Sequence, residues 1–232
     1  MTLPAIVNTA RTLSYYSTLQ DITANNLANA SSDGYKADLV TAHLTAGEQY
    51  PEVFQSINLT QADLRDTGRP LDVGLQGSGF TVVQTPDGER LTRGGSFALN
   101  QAGMLVDGQG NAVLGVAGPM VMPNARKITI DPDGTVTADG TVVGKLKLEN
   151  VADPSTLRKE GNGQFSVTGG ASTPAAPADA MVHQGTIEGS NVSALLGSVD
   201  MIMIQRAYAA SVDALKAMDG VLDTISGEIG RV

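Results

Sequence analysis

From Met201 to Val232 one position recurs at alternating steps of three and four: Met201, Ile204, Tyr208, Ser211, Leu215, Met218, Leu222, Ile225, Ile229 and Val232. All but Ser211 are apolar. A period averaging about 3.5 residues keeps such a stripe on one side of an α-helix, as in a coiled-coil seam. Gln205, Arg206, Asp213, Lys216, Asp219, Asp223 and Glu228 fall between these positions and suit solvated flanks. The stripe needs a covering surface. A terminal helix docked on its own domain satisfies it, and so does a helix packed against another chain. A weaker copy lies near the other end, at Ile6, Ala10, Leu13, Ser17, Gln20, Ala24 and Leu27. Thr2 is a candidate cap there and Pro4 a tolerated first-turn residue, while Ser31-Ser32-Asp33-Gly34 ends the pattern. Small residues in this second stripe allow close helix approach, so the two terminal helices read as made to pair.

Between the helices the pattern changes. Periodicity fades over 36–70, where Gly47, Pro51 and scattered Thr and Gln predict an extended or partly helical connector. From Leu71 to about Gln184, short apolar runs alternate with turn signals such as Pro86-Asp87-Gly88, Asp107-Gly108, Pro132-Asp133-Gly134 and Asp139-Gly140. Phe80–Gln84, Ile128–Ile130 and Val142–Leu148 read as strands, and turn signals at regular short spacing predict an antiparallel, meander-like β domain. Gly169–Asp179, rich in Ala, Pro, Gly and Thr, reads as an exposed loop. The predicted class is α+β. N- and C-terminal helices (1–35 and 186–232) pair in a coiled-coil-like domain, and a central antiparallel β-rich domain occupies 71–185.

Composition narrows the chemistry. The 232 residues carry a net charge of −9, with 4% aromatics and no Trp, so the core must be Val, Ile, Leu, Met and Ala. An acidic chain without clustered Lys and Arg argues against nucleic acid. With no cysteine, disulfides, thiolate catalysis and zinc–thiolate sites are excluded. No apolar run is long enough to span a membrane, and no basic region followed by an apolar one marks a cleaved signal. His43 and His183 stand far apart without ligand spacing, so no metal site is expected. Gly77-Ser78-Gly79 precedes a strand and serves a turn, not a phosphate. Asp131-Pro132-Asp133-Gly134 lacks the glycine position and the closing carboxylate of a calcium loop and reads as a hairpin turn. Glu89, Asp107 and Asp131 sit in or beside turns, where Asp is favoured for backbone reasons. No catalytic residue and no cofactor site is expected.

Several segments resemble those of a known family. Ala24-Asn25-Asn26-Leu27-Ala28-Asn29, followed by Gly34-Tyr35-Lys36, resembles the N-terminal signature of flagellar axial proteins. Gly185-Thr186-Ile187-Glu188-Gly189-Ser190-Asn191-Val192 and then Met201-Ile202-Met203-Ile204-Gln205-Arg206-Ala207-Tyr208 resemble the C-terminal one. Arg69-Pro70-Leu71-Asp72-Val73, Gly79-Phe80 and Thr92-Arg93-Gly94-Gly95-Ser96-Phe97 resemble the segment that opens the family's β domain. The chain is thereby identified as a member of the flagellar basal-body rod proteins, closest to the proximal-rod type with the distal-rod type second.

The resemblance implies a structural subunit without catalysis, polymerising through its terminal helices into the drive shaft across the periplasm. It implies as partners other rod proteins and copies of itself, and the flagellar type III export apparatus, which uses no cleaved signal. No nucleic acid and no membrane insertion is expected. Before assembly the terminal helices are expected to be largely disordered, since isolated helices with one apolar stripe are marginal in water. Stripes and signatures together place the assembly surface at Ile6, Leu13, Asn25, Asn26, Leu27, Asn29, Asn191, Val192, Met201, Ile204, Tyr208, Leu215, Met218, Leu222, Ile225 and Ile229. Two other classes compete: a secreted β-rich binding module oligomerised by its helices, and a peptidoglycan-acting enzyme, for which no convincing carboxylate pair exists.

Overall fold

The computed structural model describes residues 2–43, 52–169, 172–175 and 179–229, with side-chain surroundings for 7–41, 54–169, 172–175 and 179–221. The chain divides into two units: Met1–Ala28, Asp38–Gln55 and Ser193–Val232 form one, Asn29–Ala37 and Ser56–Val192 the other.

The first unit is built on two helices, α1 (Thr2–Ala28) and α2 (Ala194–Ile229). Ser193 caps α2, its carbonyl accepting from the Gly197 N–H and its hydroxyl lying 3.4 Å from the Leu196 nitrogen. Hydroxyls inside the helices bond back one turn, Thr12 to Asn8, Thr18 to Ser14 and Ser211 to Ala207, so they need no other partner. Thr9 Oγ1 lies 3.9 Å from Met218 Sδ near one end of the pair, and Leu27 lies beside Gly197 near the other. The helices therefore run antiparallel. The stretch read as a connector contains strands Asp38–His43, Glu52–Ile57 and Leu64–Asp66, the first two paired with each other.

The second unit is antiparallel β throughout its described pairings. Its central strand, Phe80–Thr85, pairs with Gly88–Thr92 through a turn at Pro86-Asp87, and with Ala112–Gly115 on its other side. Val82 and Val83 are both fully buried, yet they belong to different clusters. Val82 packs with Phe80, Leu91, Leu114 and Phe165, whereas Val83 packs with Leu105, Val113, Val136 and Leu146. Successive side chains of a strand point to opposite faces, so this sheet is covered on both sides. That explains why Val82 and Val83 are adjacent apolar residues and the strand does not alternate strictly.

The arrangement departs from a simple meander. Val73–Gly77 pairs with Ala180–Gln184, and Leu64–Asp66 with Thr186–Glu188, so the beginning and end of the unit lie side by side. Gln164–Val167 inserts beside Gly88–Thr92. Val142–Leu148, read as one strand, is two: Thr141–Lys145 and Leu148–Val151. Within the segment read as a loop, Ser172–Pro174 is a strand on Leu148–Val151. Turns are written in local sequence, but the choice of distant neighbour depends on which faces need covering, and no short motif records that.

Candidate assembly surface and the buried charge cluster

On α2 the half-buried row is Met201, Ile204, Ala207, Ser211, Leu215 and Met218. Tyr208 is 37% exposed, and the smaller Ala207 takes its place in the row. On α1 the half-buried row is Thr9, Leu13, Tyr16, Gln20, Thr23 and Leu27. Leu13, Gln20 and Leu27 fall where the periodicity puts them. Ala10, Ser17 and Ala24 are exposed, and their N-terminal neighbours Thr9, Tyr16 and Thr23 face inward instead. The larger residue of each adjacent pair buries more area, and a one-residue step rotates the row by only part of its width. Ile6, Leu222, Ile225 and Ile229 lie within the helix bounds, but their side chains are outside the described residues.

Two of the asparagines, Asn26 and Asn191, point to backbone. Asn26 Nδ2 donates to the Asp38 carbonyl at 2.8 Å and its Oδ1 accepts from the Asp38 N–H at 2.9 Å, a two-point clamp between α1 and the following strand. Asn29 Oδ1 accepts from the Ser32 hydroxyl. Asn25 is exposed and Val192 half-buried. Asn191 Oδ1 accepts from the Ala37 N–H at 2.7 Å, while its Nδ2 donates to the carbonyls of Asn58 (2.8 Å) and Thr60 (3.0 Å). One amide thus joins three separate passes of the chain. Asn191→Ala strands the buried Ala37 N–H and two carbonyls, at an expected cost of about 2 kcal/mol. Hydrogen exchange at the Ala37 amide should accelerate accordingly, about 30-fold.

Beside Asn191 lies a group that periodicity does not reveal. Glu188 has no exposed side-chain surface; its Oε1 accepts from Lys36 Nζ at 2.6 Å and from the Ala62 N–H at 2.9 Å. Its Oε2 accepts from Arg93 Nη1 at 3.2 Å. Lys36 also donates to the Thr60 carbonyl, and Arg93 to the carbonyls of Leu75 and Gly77. The Arg93 guanidinium stacks over the Phe80 ring at 5.2 Å. Two cations share one carboxylate in a dry site, and burial pushes both Lys36 and Arg93 below their usual pKa despite the attraction of Glu188. Arg93 Nε is the buried side-chain atom left without a hydrogen-bond partner among the described residues. Lys36 follows α1 closely in sequence and Glu188 shortly precedes α2. All three residues fall in the family-like segments, and a buried charge in an otherwise Gly- and aliphatic-rich motif is the one signal that marks them.

Among the described residues no group of His, Cys, Asp or Glu is arranged to hold a metal, and no helix is long and apolar enough to cross a membrane.

Three family models match this chain. A model described as "Flagella basal body rod protein" covers residues 8–36, "Flagellar hook protein FlgE/F/G D1 domain" covers 74–138, and "Flagellar basal body rod FlgEFG protein C-terminal" covers 183–228. The chain is 35% identical to the flagellar basal-body rod protein FlgF of Escherichia coli, over 86% of this chain and 88% of that protein. It is 32% identical to FlgF of Caulobacter vibrioides, over 91% of each. It is 30% identical to FlgG of Buchnera aphidicola, over 89% of this chain and 92% of that protein.

Proposed function

Since this chain belongs to the flagellar basal-body rod protein family, we propose that its paired terminal helices are the part through which it builds the shaft. It is a structural subunit of the flagellar basal body, not an enzyme, and its relatives over nearly their full length are rod proteins. That full-length likeness carries the reading over a secreted binding module. The higher identity to FlgF than to FlgG among these relatives supports the proximal-rod type.

Within the subunit, the antiparallel pair α1–α2 forms a coiled-coil-like rod-core element, and the β unit is the outer part. Three- and four-residue steps along both half-buried rows, strictly alternating on α1, support coiled-coil packing. Delivery by the flagellar export apparatus, with helices that order only on docking, fits a chain that has no cysteine to cross-link on the way. Asn26 and Asn191 act within the subunit, clamping backbone, while the helices supply the contacts to neighbours.

Leu215→Asp tests this. An aspartate in the half-buried row of α2 places an unpaired charge against α1. Supplied as the only copy in a strain lacking its rod protein, the unmutated chain should restore swimming and the variant should not. The β unit of the variant should keep its urea midpoint. Normal swimming by the variant would refute the role of the helix pair.

A further inference from the structure

Asn162-Gly163 is the one Asn-Gly step in the chain. It forms the tip of the hairpin between Leu157–Gly161 and Gln164–Val167, with φ +52° at Asn162 and +71° at Gly163. Asparagine and glycine both accept the left-handed backbone that such a tight turn requires. Asn162 is exposed, and nothing lies within 4 Å of the position a β-carbon on Gly163 would take. Among the described residues, neither the Asn162 side-chain amide nor the Gly163 N–H has a hydrogen-bond partner. An amide carbon and the backbone nitrogen that follows it are therefore both free to move, with no side chain to keep them apart.

Other asparagines of the β-rich unit are held. Asn58 Oδ1 accepts from the Thr60 N–H, Asn100 Oδ1 from the Ala102 and Met104 N–H groups, and Asn111 Nδ2 donates to Asp107. Leu59, Gln101 and Ala112 follow them, and a side chain there crowds the nitrogen that would have to react. The Asp-Gly turns differ as well. The carboxylates of Asp107, Asp133 and Asp139 each accept from backbone N–H groups, and an ionised carboxylate is a poor target for a nucleophile.

We propose that Asn162-Gly163 is a site of spontaneous deamidation in the folded protein, and that its isoaspartate product unfastens the hairpin. The Gly163 nitrogen attacks Cγ of Asn162. The new N–Cγ bond closes a five-membered succinimide, the Cγ–Nδ2 bond breaks, and the Gly163 proton leaves with the amide nitrogen as ammonia. Water then opens the ring at either carbonyl, giving aspartate or isoaspartate at position 162. Aspartate keeps the turn, since it tolerates the same backbone as asparagine. Isoaspartate adds a methylene to the main chain, which a two-residue turn cannot absorb without shifting its strands. The Gly163 carbonyl accepts from the Thr92 hydroxyl at 3.1 Å, and Gln164 donates to Asp107 at 2.9 Å. Thr92 precedes Arg93, so the disturbance reaches the strand that carries the buried guanidinium. The inference stands apart from the rod-subunit reading.

The test ages the purified full-length chain in warm, mildly alkaline buffer, with a second sample unfolded in urea. Peptide mass spectrometry with fragmentation that distinguishes isoaspartate follows every asparagine. Because a loop tip opens at almost no free-energy cost, the folded chain should lose ammonia at Asn162 within about threefold of the unfolded rate, ahead of every other asparagine. Asn162→Gln should stay unreacted at this position, since its ring would need six members, and should keep the circular dichroism of the parent. A folded chain that stays intact while the unfolded one reacts, or that reacts first elsewhere, would overturn the site. Separated from the aged sample, the isoaspartate form should unfold at lower urea than the parent, whereas Asn162→Asp should match the parent. Equal midpoints for all three would overturn the effect on the hairpin.

Discussion

Glu188→Ala is expected to cost the β-rich unit about 3–5 kcal/mol, because it leaves the ammonium of Lys36 and the guanidinium of Arg93 buried together without a counter-charge. A domain's whole stability is about 5–15 kcal/mol, so the variant should be largely unfolded or recovered as aggregate. Urea unfolding followed by circular dichroism at the β-sheet band checks this. Glu188→Gln should fall between, since the amide oxygen still accepts from Lys36 and Ala62 but offers no charge to Arg93. Replacing all three together, Lys36→Met, Arg93→Met and Glu188→Leu, should cost less than Glu188→Ala alone, because no charge then remains to be desolvated. If the alanine variant kept the parent's midpoint, the three side chains would be spectators.

Gly34→Ala is expected to be nearly as damaging, for a steric reason. Gly34 sits at φ +67°, and a β-carbon there would lie 2.5 Å from the carbonyl carbon of Arg93 and from the nitrogen of Gly94. Those are backbone atoms and cannot swing aside. The passes must separate, which also stretches the 2.7 Å bond from the Gly34 N–H to the Glu188 carbonyl. The left-handed conformation alone costs an L-residue about 1–2 kcal/mol, and the clash adds about 1–3. Gly68 is the control: its φ is +69°, but nothing lies within 4 Å of the position a β-carbon would take. The difference in midpoint between Gly34→Ala and Gly68→Ala therefore isolates the clash. Equal midpoints would mean that backbone conformation is the whole effect.

Much of this was legible in the chain. Both terminal helices follow from a repeat near 3.5, and the hairpin turns from dipeptides such as Asp139-Gly140, where both residues take positive φ. The turn at Asn162-Gly163 has the same geometry and joins two strands of the main sheet, but no turn was expected there. Periodicity puts the α1 row one residue off at three positions, because Ala10, Ser17 and Ala24 keep the spacing while Thr9, Tyr16 and Thr23 offer more surface to bury. Tyr208 was placed in the inner row by spacing, yet lies at its edge. The signature asparagines suggested contacts between subunits; the geometry gives Asn26 and Asn191 to the chain's own backbone. Least legible was the Lys36–Glu188–Arg93 cluster. Its members are separated by up to 152 residues, and no periodicity links groups that meet only after the whole unit has folded.

The antiparallel meeting of Thr9 with Met218 has a consequence for the order of events as the molecule forms. A chain that emerges one residue at a time, amino end first, holds its first helix idle until nearly everything else has come out. The β-rich unit can complete itself once Val192 is free, long before the helix pair has both halves. Loop closure over such a span is the slowest kind of contact to make from a random coil. A folded β unit shortens it by holding residues near 29 and 192 at a fixed distance, so that the search left to the helices is brief. The helix pair therefore closes after the β-rich unit.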